Sequence, residues 1–275
     1  MPPSAALPDR LLAPLPEHQP GAELAPFYRP QMAPLAAPVL SALAQGPRPE
    51  ELLPPAAAAP HLQEDGYWPV ETGWSQSRLG GARVFCLTPM PGVTPAMWEW
   101  WFAWHGSSAA RYRLWHPQAH VDARWADGLG ETGGYVGRTS LVTEYLGDKV
   151  SRFAIRFIAP QELGLDPALL ARRGEVAICA RAGVQAMGME GGAMIHQLRP
   201  TADGCEMRSR FWLGGAELRI TREPGPLGRA IGRGLGALAG PSLSNAPALL
   251  AHCAEEMSHL AAILPDLYRS FGPGR

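Results

Sequence analysis

Two residues near the C-terminus are spaced to do metal chemistry. His252 and Glu256 lie four apart in the stretch LSNAPALLAHCAEEMSHLAAILPDLYR (243–269). On a helix, that spacing stands them one above the other on one face. A neutral imidazole and a carboxylate presented together form half of a first-row metal site. Ordinary surface pairs share the spacing, so the rest of the chain must supply two more ligands. Glu144 interrupts the apolar strand pattern LVTEYL, and His196 interrupts AMIHQL. A buried carboxylate without a partner costs on the order of a few kcal/mol, which a cation would offset. The plainer readings remain open: Glu144 turned to solvent, His196 a hydrogen-bonded core imidazole, Tyr112 an amphipathic wall residue. His116 and His120 are further candidates on RYRLWHPQAHVDARW (111–125), which Pro117 makes an irregular loop or short helix. His105 at a helix end and His259 beside the 252/256 face have weaker cases.

The elements that must hold these residues follow from pattern. Leu249, Leu250, Cys253, Met257, Leu260 and Ile263 recur at helical spacing between a capping Asn245 with Pro247 and a distal Pro265, which predicts a long helix over about 245–264. Thr94 and Pro95 open a second helix that Gly106 ends. ARVFCLT (82–88), 139–147, 150–160, 175–185, 193–201 and 204–215 read as strands, the last two joined by a turn containing Ala-Asp-Gly. The order is strand, helical section, antiparallel meander, C-terminal helix: an α+β plan whose sheet can curl around the helix and leave a pocket. The glycine-punctuated segment 225–240 reads as helix or loop. Residues 1–22 are Pro- and Ala-rich and expected to be poorly ordered. Residues 23–60 form proline-broken short helices, apolar enough to pack on their own domain or on a second subunit. The division is therefore an arm over 1–65 and a folded domain over 66–275.

Composition excludes several classes. Lys and Arg total 24 against 25 Asp and Glu, a net charge of −1, which is no footprint for nucleic acid. There is no GxGxxG or GxxxxGK[ST] motif, and no internal repeat. No apolar run reaches membrane-spanning length, and the first residues lack the basic and apolar pattern of a secretory signal. The four cysteines show no CxxC, so reduced thiols in a cytoplasmic protein are expected. Five of the nine tryptophans fall within 98–115, and they can wall an apolar pocket or fill the core.

WEWWFAWHGSSAARYRLWHPQAH, TEYLG, MIHQLRP and AHCAEEMSHLAAILPDLY, in this order and spacing, resemble the 2,4-diacetylphloroglucinol hydrolase family, which includes phloretin hydrolase. The resemblance runs from about Phe27 to Tyr268. It implies a Bet v 1-like helix-grip fold with a small N-terminal helical region used in dimerisation, hence a homodimer. It also implies zinc-dependent hydrolysis of the carbon–carbon bond between a phenolic ring and an acyl group, on a small aromatic acyl-phenol. Carried over by position, the zinc ligands are His120, Glu144, His252 and Glu256, with His116 as the alternative to His120. Tyr112 resembles a substrate-contacting tyrosine and His196 the family's second-shell or acid–base histidine, so both are expected at the substrate as catalytic and binding residues. One departure stands out: where the family has another substrate-contacting tyrosine, this chain reads Arg210-Phe211-Trp212. The competing readings are a non-catalytic helix-grip protein for an aromatic or lipid ligand, and a zinc ester or lactone hydrolase. A pure binder has no need of four converging ligands.

Overall fold

The structure is a computed structural model that describes residues 20–77, 80–131, 133–184, 189–220 and 245–274. The segment 225–240 and residues 1–19 of the Pro/Ala-rich start lie outside the described residues. An antiparallel sheet forms the frame, with strands β1 (Gly73–Gln76), β2 (Gly81–Pro91), β3 (His120–Trp125), β4 (Thr139–Leu146), β5 (Lys149–Ile158), β6 (Val176–Val184), β7 (Met189–Thr201) and β8 (Gly204–Gly214). Their spatial order is β1-β2-β8-β7-β6-β5-β4-β3, and the short β9 (Arg219–Ile220) pairs with the start of β7. Every pairing is antiparallel, as the meander reading expects.

Helices α1 (Ala37–Gln45), α2 (Pro95–Trp104), α3 (Ala109–Trp115), α4 (Pro167–Arg173), α5 (Ala246–Ala261) and α6 (Leu264–Phe271) complete the described elements. Helix α5 touches β1 and β2 near one end of the sheet and β4 near the other. One straight helix reaches both ends only if the sheet curves around it, which is the helix-grip arrangement. Asn245 caps α5 through Ala248 N, and Thr94 caps α2 through Met97 N. The long helix expected over 245–264 is α5, which ends a little short of residue 264. Pro265 has no N–H to give Ala261, and its ring crowds that carbonyl, so α5 stops at Ala261 and Pro265 instead opens α6.

Strand alternation sorts the residues into two cores. The inner core, under α2, α3, α5 and α6, takes Val84, Cys86, Met194, Leu198, Met207, Phe211, Leu250, Cys253, Met257 and Leu260. Trp98, Trp101, Trp104 and Trp115 all belong to it, so the aromatic cluster roofs the sheet. The outer core takes Phe85, Ile195 and Trp212 from the sheet, and Leu53, Ala59 and Leu62 from the N-terminal arm. The arm consists of short helices at 25–27, α1, 50–52 and 56–63. Its attachment is polar as well: Gln197 Nε2 and Arg208 Nη1 donate to Leu62 O at 2.9 and 3.2 Å. The region read as irregular, 111–125, is a helix, a tight turn and a strand. His116 O accepts from Ala119 N and His120 N, so Pro117 sits in a turn and His120 opens β3 rather than a loop.

Candidate metal centre

The inner face carries a polar cluster against the middle of α5. His120 and Glu144 are opposite each other in register on β3 and β4, so their side chains leave the sheet on the same side. His252 and Glu256 come down from α5, one turn apart. All four are buried: His120 is 0 %, His252 3 %, Glu256 7 % and Glu144 9 % exposed. The Nε2 atoms of His120 and His252 stand 3.3 Å apart. Glu256 Oε2 is 3.4 Å from the first and 3.7 Å from the second. Glu144 Oε2 is 3.9 Å from His120 Nε2.

These separations suit a cation. Four ligands about 2.0–2.2 Å from one tetrahedral ion lie about 3.3–3.6 Å from one another. His120, Glu144 and His252 each offer an atom within 4.8 Å of the others, so this group can hold a metal; Glu256, the fourth expected ligand, stands beside both imidazoles but outside that group. The tautomer fits as well. His120 Nδ1 lies 3.0 Å from Tyr112 O. A carbonyl can only accept, so Nδ1 carries the proton and Nε2 presents its lone pair, as in metal-ligating histidines. Charge makes the same case. Burial pushes the Glu144 carboxyl up to about 7 and the Glu256 carboxyl well above its usual range, and it holds His120 well below 6.5. Among the described residues no Lys or Arg pairs with either carboxylate. Two buried acids beside the neutral His120 imidazole leave a negative charge that a divalent ion would offset.

His116 is close but differently engaged. Its Nε2 faces Glu255 Oε2 at 3.2 Å, and its ring stacks on His252 at 4.9 Å. It braces the His252 imidazole and lies outside the three-residue group. Tyr112 lies flat on the His120 ring at 3.8 Å and donates its hydroxyl to Glu144. The side chain read as a substrate contact thus orients a carboxylate of the cluster. Gly106 lets the α2–α3 corner close over β3, because a Cβ there would meet the Trp125 ring at 2.5 Å. His105 gives Nδ1 to Trp101 O at 2.8 Å, and His259 is buried beside His116; neither reaches the cluster.

His196 shares the inner face. It packs on Phe102, with ring centres 6.0 Å apart, and edge-on to Phe211 at 5.5 Å. Its Nδ1 lies 2.9 Å from Ser209 Oγ, and burial lowers its pKa to about 3, so it is neutral. Of the Arg210-Phe211-Trp212 stretch, Phe211 is the residue that turns inward; Arg210 pairs with Glu71, and Trp212 donates its Nε1–H to Pro54 O of the arm. Sequence reasoning missed Ser209 and the His116–Glu255 pair. The alternation of β8 places Ser209 on the inner face, and that was the available signal.

Residues 53–269 match the DAPG hydrolase PhiG domain family. The 2,4-diacetylphloroglucinol hydrolase of Pseudomonas protegens is 32% identical over 265 residues, covering 90% of this chain and 84% of its own. The phloretin hydrolase of Eubacterium ramulus is 30% identical over 257 residues, covering 88% of each chain. Among solved structures, Ara h 8.0201 is 15% identical with a TM-score of 0.33, covering 66% of this chain and 97% of its own. The major latex-like protein 151 of Panax ginseng is 10% identical with a TM-score of 0.33, covering 63% and 97%. With the family matched across most of its length and hydrolases 30–32% identical over about nine-tenths of it, this chain belongs to the DAPG hydrolase PhiG domain family.

Proposed function

We propose that the protein is a zinc-dependent hydrolase of acylphloroglucinol-type substrates, splitting the carbon–carbon bond between a phenolic ring and its acyl group. The products are the deacylated phenol and a carboxylic acid. The observation that carries this reading is the buried group of His120, Glu144 and His252, whose ligand atoms lie within 4.8 Å of one another, with Glu256 beside both imidazoles. In this reading His120, Glu144, His252 and Glu256 hold the ion. When bound, zinc supplies Lewis acidity to a carbonyl oxygen or to water.

The chain's own residues do the rest. The ring carbon bearing the acyl group must gain a proton before it can leave. His196, neutral and on the inner face, is assigned to move that proton. Tyr112 holds Glu144 in place and lies against His120, which keeps two ligands preorganised. Phe102, Trp115 and Phe211 wall the site and exclude water. Phe211 offers no hydroxyl, so this site holds the ring by shape and apolar contact on that side rather than by a phenol.

The test is to incubate zinc-loaded protein with a panel of monoacyl- and diacylphloroglucinols, phloretin, and matched phenyl esters and lactones. Mass spectrometry should find the free acid and the deacylated ring from the ketones. Turnover of the esters alone would favour ester hydrolysis, and binding without turnover would favour a carrier.

The same proposal takes residues 66–275 as the hydrolase domain and residues 1–65 as an arm at a homodimer contact. It places the protein in a reducing cytoplasm, consistent with Cys86, Cys179, Cys205 and Cys253 all being buried free thiols. Among the described residues no helix is long and apolar enough to cross a membrane. Leu40 on α1 is 43% exposed and belongs to the arm's outward side. Sedimentation of a Leu40→Glu variant should shift from dimer to monomer; an unchanged coefficient, or a monomeric wild type, would remove the arm from the contact.

A further inference from the structure

We propose that His116 and Glu255 are positioning residues of the metal centre, a pair that seats the His252 imidazole and so governs how tightly the ion is held. The inference rests on the zinc reading above and adds no ligand to it. His116 is fully buried at the C-terminal end of α3. Its ring packs on both proposed ligand imidazoles. It lies 4.9 Å from the His252 ring, within 15° of parallel, and 5.5 Å from the His120 ring. Its Nε2 turns to Glu255 Oε2 at 3.2 Å. A carboxylate accepts, so Nε2 carries a proton and has no lone pair for an ion.

The contacts close on themselves. His252 and Glu255 are three apart on α5, hence on one side of that helix. Glu255 reaches across to His116, and the His116 ring lies back over His252. Turning the His116 ring would break the hydrogen bond, and turning the His252 ring would break the stack. The backbone ties in a second ligand. His116 O accepts from Ala119 N at 3.1 Å and from His120 N at 2.8 Å, which fixes the turn that delivers His120 to β3. Tyr112, four residues earlier, has the matching arrangement. Its ring lies flat on His120 at 3.8 Å, and its hydroxyl donates to Glu144. Each of these two side chains therefore covers one imidazole and holds one carboxylate.

Core packing alone does not account for an imidazole at this position. His116 Nδ1 is buried with no hydrogen-bond partner among the described residues. An unpaired buried nitrogen disfavours folding, and a phenyl ring would fill similar space without one. A phenyl ring could not bond Glu255. That hydrogen bond is the part of His116 that packing leaves unexplained, and its consequence is a ring pinned against His252. Loss of such an orienting group weakens metal binding about 10–100-fold while every ligand stays in place.

The experiment compares full-length wild type with Glu255→Ala, Glu255→Gln, His116→Phe and the His116→Phe/Glu255→Ala double variant, with His252→Ala as the control for a lost ligand. Zinc affinity is read by competition with a chromogenic chelator, and metal-free melting temperature checks that each variant folds. The visible absorption of the cobalt(II)-loaded proteins reports ligand geometry, which a merely structural role would leave unchanged. Glu255→Ala and His116→Phe should each still fill to one zinc per chain at saturation. Both should bind about 10–100-fold more weakly and shift the cobalt bands. Glu255→Gln, which can still accept from His116 Nε2–H, should recover part of that loss. The double variant should lose less than the product of the two single losses, because the pair acts as a unit. Wild-type affinity with unshifted cobalt bands in Glu255→Ala would overturn the proposal, and so would losses that simply multiply. Zinc lost from His116→Phe as fully as from His252→Ala would overturn it by making His116 a ligand. Full zinc in His252→Ala would instead refute the zinc centre itself, which separates the two failures.

Discussion

Glu256→Ala should lose most of the bound zinc. Glu256 Oε2 lies 3.4 Å from His120 Nε2 and 3.7 Å from His252 Nε2, within reach of an ion held by both imidazoles. Removing it leaves two imidazoles and one carboxylate, with one negative charge less against a dication. Loss of a group that merely orients a ligand costs about 10–100-fold in metal affinity, so loss of a ligand should exceed about 100-fold. The metal-free variant should not unfold earlier than the metal-free wild type. Burial already raises the Glu256 carboxyl well above its usual range, so that carboxyl opposes folding as pH rises. Metal uptake must also release protons, because the ligands bind deprotonated. With Glu144 raised to about 7 and Glu256 raised further, affinity should climb as pH rises through neutrality. His120, held well below 6.5, should contribute nothing to that slope. Glu256→Ala should flatten it by about one proton. The checks are zinc per chain after exhaustive dialysis, melting temperature with and without metal, and zinc titrations at two pH values. Full zinc occupancy in Glu256→Ala would mean that another group closes the site.

Much of this arrangement could be read before the fold was known, and the reasons are local. His252 and Glu256 share a helix, so a spacing of four is already a spatial statement. Glu144 and His196 could be singled out because a polar residue breaks an apolar strand pattern. The strands themselves, antiparallel and mostly separated by short turns, follow from period-two alternation and glycine. What could not be read depends on contacts between elements far apart in sequence. The choice between His116 and His120 turns on a tight turn at Pro117 that starts β3 at His120 and sends His116 toward Glu255. Periodicity up to Ile263 does not show where α5 ends; Pro265 offers the Ala261 carbonyl no donor, so the helix stops there. The tryptophans carry no directional signal individually; their burial follows from α2 lying across the inner face. Ser209 matters only because His196 meets it from the neighbouring strand β7.

His196→Ala should keep the metal and lose turnover. The partners of His196 are Ser209, Phe102 and Phe211, none of them in the cluster of His120, Glu144, His252 and Glu256. Truncation therefore removes a proton carrier and leaves every proposed ligand in place. General acid–base groups supply about 10²–10⁴-fold, and kcat should fall within that range. Because the ring is held by surrounding walls, KM should change far less than kcat. The wild-type pH profile gives an independent check. His196 titrates at about 3, far below its ordinary 6.5, because burial disfavours the charged ring. It therefore stays neutral throughout the range in which an exposed histidine would protonate. An acid limb of kcat near 6.5 should be absent from this residue, and any limb near neutrality should vary with metal loading instead. Zinc content and turnover of His196→Ala, measured beside His252→Ala, decide the matter. Zinc lost as severely from His196→Ala as from His252→Ala would make His196 a ligand, and retained turnover would move the proton transfer to another group.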